Sequence, residues 1–171
     1  MANRSYALPK LPYGYKALAP AMSEEQLTLH HQKLHQAYVT GANALFAKLD
    51  KARKENNDLD MKAALKELSF HAGGYRLHGI FFGNLAPTGD GGGGEPKGEL
   101  GKLIEAEFGS FSRFKKEFTQ AASSVSVPVW GIILSDPLPI VGLVCRYHTN
   151  YLIGCMLIFN PRRFNFKMMP F

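Results

Sequence analysis

The sequence predicts an α+β protein: an N-terminal α-helical hairpin followed by a small C-terminal α/β lobe with an incomplete antiparallel sheet. Three observations carry this. Apolar residues recur at helical spacing from Ser23 to about Arg53 and again from Asp60 to about Phe82. A Gly/Pro-rich stretch, Ala86 to Glu99, then interrupts the pattern. From Val125 the spacing changes to short apolar runs broken by Asp136-Pro137-Leu138-Pro139, which reads as strand, turn, strand. The expected division is residues 1–90 for the hairpin domain and 91–171 for the α/β domain, with a divergent tail from about residue 146.

Each element follows from local chemistry. Pro9, Pro12 and Pro20, with Tyr13 and Tyr15, make residues 4–20 an extended, aromatic-rich arm that packs on something. Ser23-Glu24-Glu25-Gln26 is a capping box, with a serine for the first open N–H groups and a glutamine reaching back. Gly41 and Asn43 weaken the first helix in its middle, and Glu55 to Asp60 is a polar loop. Asp60 is the expected N-cap of the second helix. Gly73-Gly74 inside it costs roughly 1 kcal/mol per glycine relative to alanine, so the pair marks a place where another group needs room. Two further helices are expected over Glu99–Phe108 and Ser110–Ala122, with Phe108, Phe111, Phe114 and Phe118 on the apolar side. Val129–Leu134 and Ile140–Val144 read as strands, and Tyr151–Phe159 as a third.

Composition excludes several classes. The longest late apolar run, Tyr151 to Phe159, is too short for a bilayer, so no membrane span is expected. No signal peptide follows Met1, and two cysteines, Cys145 and Cys155, make no disulfide framework; the expected location is the cytoplasm. The formal charge of +6 is uneven. Arg146, Arg162, Arg163 and Lys167 lie in a tail without acids, and the other 16 basic residues face all 14 acidic ones. No nucleic-acid motif accompanies that basic tail, and no Gly-Lys-Ser/Thr opens a helix after the glycine run, so neither nucleic acid nor a nucleotide is an expected partner.

Five of the six histidines fall in two helical segments, Leu29–Tyr38 and Phe70–His78. At α-helical spacing His30, Leu34 and Tyr38 share one face, while His31 and His35 share a neighbouring one. Facing helices that each donate an imidazole make half of a metal site, because packing fixes the direction of the ligands. Spacing alone leaves two readings open: a metal site, or structural histidines in the core. A di-iron carboxylate bundle is excluded, since Glu67 precedes His71 by four residues rather than three.

Tyr6-Ala7-Leu8-Pro9-Lys10-Leu11-Pro12-Tyr13, and Leu29-His30-His31-Gln32-Lys33 with Tyr38 and Gly41-Ala42-Asn43, resemble the N-terminal signature of the iron/manganese superoxide dismutase family, with an archaeal character. Leu77-His78-Gly79-Ile80-Phe81-Phe82 resembles its second-helix motif, with Phe82 where tryptophan is usual. Gly91 to Leu100, Phe108 to Lys115, Val129-Trp130-Gly131 and Asp136-Pro137-Leu138 continue the likeness.

The resemblance implies a helical hairpin, an α/β lobe and one manganese or iron ion that disproportionates superoxide to dioxygen and hydrogen peroxide. It implies His30 and His78 as metal ligands, Tyr38 as the phenol at the substrate entrance and Trp130 as a pocket wall. It implies His148 as a histidine hydrogen-bonded to the metal's solvent. Gly74, where iron-type members often carry glutamine, implies manganese or dual-metal use, and Leu34 stands where a gate histidine is usual. The family's dimers and tetramers imply a homo-oligomer. The chain departs from the pattern after His148. The family's Asp-x-Trp-Glu-His motif supplies the remaining aspartate and histidine ligands, and no Asp, Glu or His follows His148 here. That departure implies impaired activity and a frameshifted or truncated reading frame. The alternatives are a catalytically inactive paralogue or fragment that binds an intact subunit, or a fragment holding zinc through His30, His78 and a cysteine.

Overall fold

The computed structural model describes residues 4–123, 130–133, 142–145 and 155–157, with side chains over residues 4–120. The chain divides into two units, one of residues 1–15 and 24–83, the other of residues 16–23 and 84–171.

The first unit is a helical hairpin. Helix α1, Glu24–Thr28, runs without a break into a π-helical segment, Leu29–His35, and then into α2, Gln36–Glu55. Helix α3 spans Met61–Asn84, all but its last residue within this unit. The α2 end is set by Asn56, whose left-handed φ of 52° turns the chain while Asn56 and Asn57 both donate their N–H to the Ala52 carbonyl. Asparagine tolerates this conformation because its short polar side chain relieves the steric cost. Asp60 caps α3 as expected: its Oδ1 accepts the Ala63 N–H at 2.9 Å. Leu27, Val39, Ala42, Leu45, Phe46, Leu49, Ala64, Phe81 and Phe82 are all buried. Those of α2 recur every three or four residues, the stripe the sequence announces.

The arm packs on this hairpin through its polar atoms and rings. Tyr6 exchanges two hydrogen bonds with the Asn43 side chain, at 2.8 and 2.9 Å. Its ring stacks on Tyr75 with centroids 4.1 Å apart. Arg4 pairs with Asp50 at 3.0 Å. Tyr13 donates its hydroxyl to the Phe82 carbonyl at 2.8 Å, and burial raises its pKa above the ordinary phenol value.

In the second unit α4 covers Gly98–Phe108 and α5 covers Phe111–Ser123. Gly109, at φ 74°, closes α4, and Ser110 Oγ accepts the Arg113 N–H at the head of α5. The phenylalanine stripe is packed as expected: Phe114 contacts Phe108, Phe111 and Phe118 at 5.1, 6.0 and 5.5 Å. Strands β1 (Trp130–Ile133), β2 (Gly142–Cys145) and β3 (Cys155–Leu157) pair antiparallel in the order β1-β2-β3. Trp130 is opposite Cys145 and Val144 opposite Cys155. The expected turn at Asp136–Pro139 and the residues around His148 lie outside the described residues.

Candidate metal centre

The histidine segment is wound as a π-helix. Its i→i+5 hydrogen bonding sets residues five apart on one side, and such insertions within α-helices are frequent at functional sites. His30 and His35 are five apart, so both reach His78 on α3. The His30 and His78 rings meet edge to face with centroids 4.9 Å apart, and His35 stacks on His78 at 5.4 Å. His35 also stays beside His31, centroids 5.9 Å apart, as α-helical spacing expects, so the π-wound segment adds the contact with His78 without removing that neighbour. A sequence pattern does not announce a π-segment, since the same residues suit an α-helix.

His30, His35 and His78 are each at most 2% exposed. Burial, reinforced for His30 and His35 by the neighbouring imidazoles, holds their pKa values to about 3, 4 and 4. At neutral pH these rings are therefore uncharged, the form that coordinates a metal. Backbone carbonyls select the tautomers. A carbonyl only accepts, so His78 Nδ1 donates to the Gly74 carbonyl at 2.8 Å, and its lone pair lies on Nε2. His35 Nε2 donates to the Tyr75 carbonyl at 3.0 Å, and its buried Nδ1 has no hydrogen-bond partner among the described residues. A ligand histidine with its other nitrogen tied to a carbonyl is the arrangement that orients imidazoles on metals.

His31 differs, although it adjoins His30. Its Nε2 donates to the Pro9 carbonyl at 2.8 Å and its Nδ1 accepts the Tyr15 hydroxyl at 2.8 Å, while Gln32 donates to the same phenol oxygen at 3.0 Å. Both nitrogens are committed to the arm, which makes His31 a structural residue.

Tyr38 packs against His78 with centroids 5.0 Å apart. Gly74 makes this possible: a Cβ there would overlap the Tyr38 ring. The room expected at Gly73-Gly74 is thus needed at Gly74 alone, since a Cβ on Gly73 meets nothing within 4 Å. Gly41 has a matching role, because its Cβ would overlap the His71 ring. Phe81 and Phe82 close the far side of His30, each 5.1 Å away, and keep water from the imidazoles.

Two buried, neutral imidazoles, His30 and His78, fit a transition-metal ion as nitrogen donors. Among the described residues no group of three His, Cys, Asp or Glu side chains is arranged to hold one. Of the other expected site residues, Trp130 lies on β1, where only the backbone is described, and His148 is outside the described residues.

Residues 5–86 match the alpha-hairpin domain of iron/manganese superoxide dismutases, and residues 96–152 match the C-terminal domain of the same family. A superoxide dismutase (Fe) of Methanothermobacter thermautotrophicus is 59% identical over 133 residues, 78% of this chain and 64% of the relative. A superoxide dismutase (Fe) of Pyrobaculum aerophilum is 50% identical over 138 residues, 81% of this chain and 65% of the relative. A superoxide dismutase (Mn) of Nocardia asteroides is 41% identical over 133 residues, 78% of this chain and 63% of the relative. The chain therefore spans a little under two thirds of the length of these relatives. With both domains of one family matched in order, the chain belongs to the iron/manganese superoxide dismutase family.

Proposed function

We propose that the chain serves superoxide dismutation at a mononuclear centre holding one manganese or iron ion, with His30 and His78 as two of its ligands. The observation that supports this most is the pair of buried, neutral, perpendicular imidazoles with the His78 tautomer fixed by Gly74. The division into a hairpin domain over 1–90 and an α/β domain over 91–171, the latter built on the β1-β2-β3 sheet, belongs to the same reading. So do manganese or dual-metal use, suggested by Gly74, and a homodimer or homotetramer.

When bound, the metal supplies the one-electron exchange that oxidises one superoxide and reduces another. The protein supplies the surroundings. Neutral His30 and His78 present lone pairs without the cost of burying charge. The Tyr38 phenol stands at the entrance and holds a proton at Oη for the reduced product, Gly74 having let its ring approach α3. Trp130 as a pocket wall and His148 as a partner of the metal's solvent belong to the same proposal, on the family resemblance alone. Relatives named for iron, for manganese or for both suit a donor set that either metal accepts.

The test is elemental analysis and a superoxide-decay assay on the purified chain and on His78→Ala. Near-stoichiometric metal and rapid decay in the chain, both lost in the variant, support the assignment. Equal metal content in the two proteins overturns it.

A second reading is a catalytically inactive chain that pairs with an intact subunit. The absence of Asp, Glu and His from residues 149–171 favours it. Co-expression with a full-length relative distinguishes the two: a mixed dimer, with metal in the relative alone, supports the inactive partner.

A further inference from the structure

His71 has no part in the reading above, yet its placement is specific. It lies on α3, and its ring is seated against the Cα of Gly41 on α2. Tyr38, one turn before Gly41, is seated in return against Gly74 on α3. Two helices thus exchange one ring each across two glycines. The two rings meet edge to face, centroids 6.1 Å apart and planes at 64°. Phe70 closes the outer side, 5.4 Å from Tyr38 and 5.2 Å from His71.

An apolar side chain would fill the space over Gly41 without leaving a polar atom dry. Histidine does leave one: His71 Nδ1 is buried and has no hydrogen-bond partner among the described residues. Buried polar atoms that lack a protein partner are met by ordered water or a ligand. Tyr38 and Phe70 are rings in contact with His71, and of these two only the phenol carries a group that can share a hydrogen-bonded solvent molecule.

We propose that His71 is a positioning residue for Tyr38: its Nδ1 binds a buried water that hydrogen-bonds the Tyr38 hydroxyl and aims it at the metal pocket. This rests on the assignment of Tyr38 to the substrate entrance. Gly41 is part of the device, because any side chain there pushes the imidazole away from the phenol.

Ultraviolet resonance Raman spectra of the metal-loaded chain, differenced against Tyr38→Phe, isolate the hydrogen-bond state of this one phenol. Asparagine reproduces the position of Nδ1, so His71→Asn should keep the Tyr38 difference spectrum and its turnover. His71→Leu and Gly41→Ala should shift the spectrum and lower turnover about tenfold, with metal content unchanged. A Tyr38 spectrum unmoved in the leucine variant, or moved equally in the asparagine variant, overturns the proposal. Should those variants fail to fold, a crystal structure of the unaltered chain decides. Solvent within hydrogen-bond distance of both His71 Nδ1 and Tyr38 Oη supports the proposal, and a dry Nδ1 overturns it. A chain without dismutase activity that still gives the expected spectra leaves the His71 device standing and removes only the functional assignment.

Discussion

His30 and His31 are neighbours in sequence and opposites in environment. His31 faces the arm, with one nitrogen donating to Pro9 and the other accepting from Tyr15. His30 faces α3, among His78, Phe81 and Phe82. The same side chain is mortar in one corner and candidate ligand in the other. What separates them is the identity of their hydrogen-bond partners, and burial cannot, since His31 is only 5% exposed and His30 2%.

The strongest way to break this comparison is to remove one imidazole from each side. His78→Ala should lose metal more than 100-fold beyond the roughly 10–100-fold effect of an outer partner, while His31→Ala should keep stoichiometric metal and lose only stability. Elemental analysis after gel filtration reads both, and a metal-free His31→Ala chain would erase the distinction.

Acid gives the next largest effect. Burial lowers the folded-state pKa values of His30, His35 and His78 to about 3, 4 and 4, below the ordinary 6.5. Between those values the unfolded chain binds more protons than the folded one, so acid favours unfolding. Stability of the metal-stripped chain should be full above pH 6.5 and fall as the pH drops from 6.5 through about 4 toward 3. Urea midpoints across that range check it, and a midpoint independent of pH would contradict the buried neutral state.

The two glycines of α3 sharpen the contrast between packed and open backbone. Gly74→Ala should destabilise by about 1–3 kcal/mol, because its methyl group collides with Tyr38. Gly73→Ala should stabilise by about 0.5–1 kcal/mol, since nothing obstructs it and alanine is the better helix former. Chemical denaturation measures both signs. The smallest effect belongs to the arm: Tyr15→Phe should cost about 0.5–1.5 kcal/mol through the lost hydrogen bond to His31, with no change in metal content.

Much of the first unit was legible. Ser23 and Asp60 marked helix starts, the apolar stripes marked the buried face, and His30 and His78 stood out as the pair to bring together. The arm's aromatic residues announced a packing partner without naming it; the partners are Asn43, Tyr75, Phe82 and His31. His35 lies beside His31 as expected, but its contact with His78 was not foreseen, because α-helical spacing was assumed through a π-wound segment. His71 was noted only for its spacing from Glu67 and His78 and was given no role. The one hint was Gly41, whose missing side chain reads as a weak point until the ring opposite it is seen.

Local chemistry written in consecutive residues therefore determined the helices, their caps and the presence of two imidazole donors, since capping and periodicity act within a few positions of the chain. Only the tertiary structure decided which partner each histidine nitrogen meets, and with it that His31 is a brace. That choice depends on carbonyls, phenols and glycines brought from elsewhere in the chain, and a hydrogen bond between residues 16 or 40 positions apart leaves no mark on the residues in between.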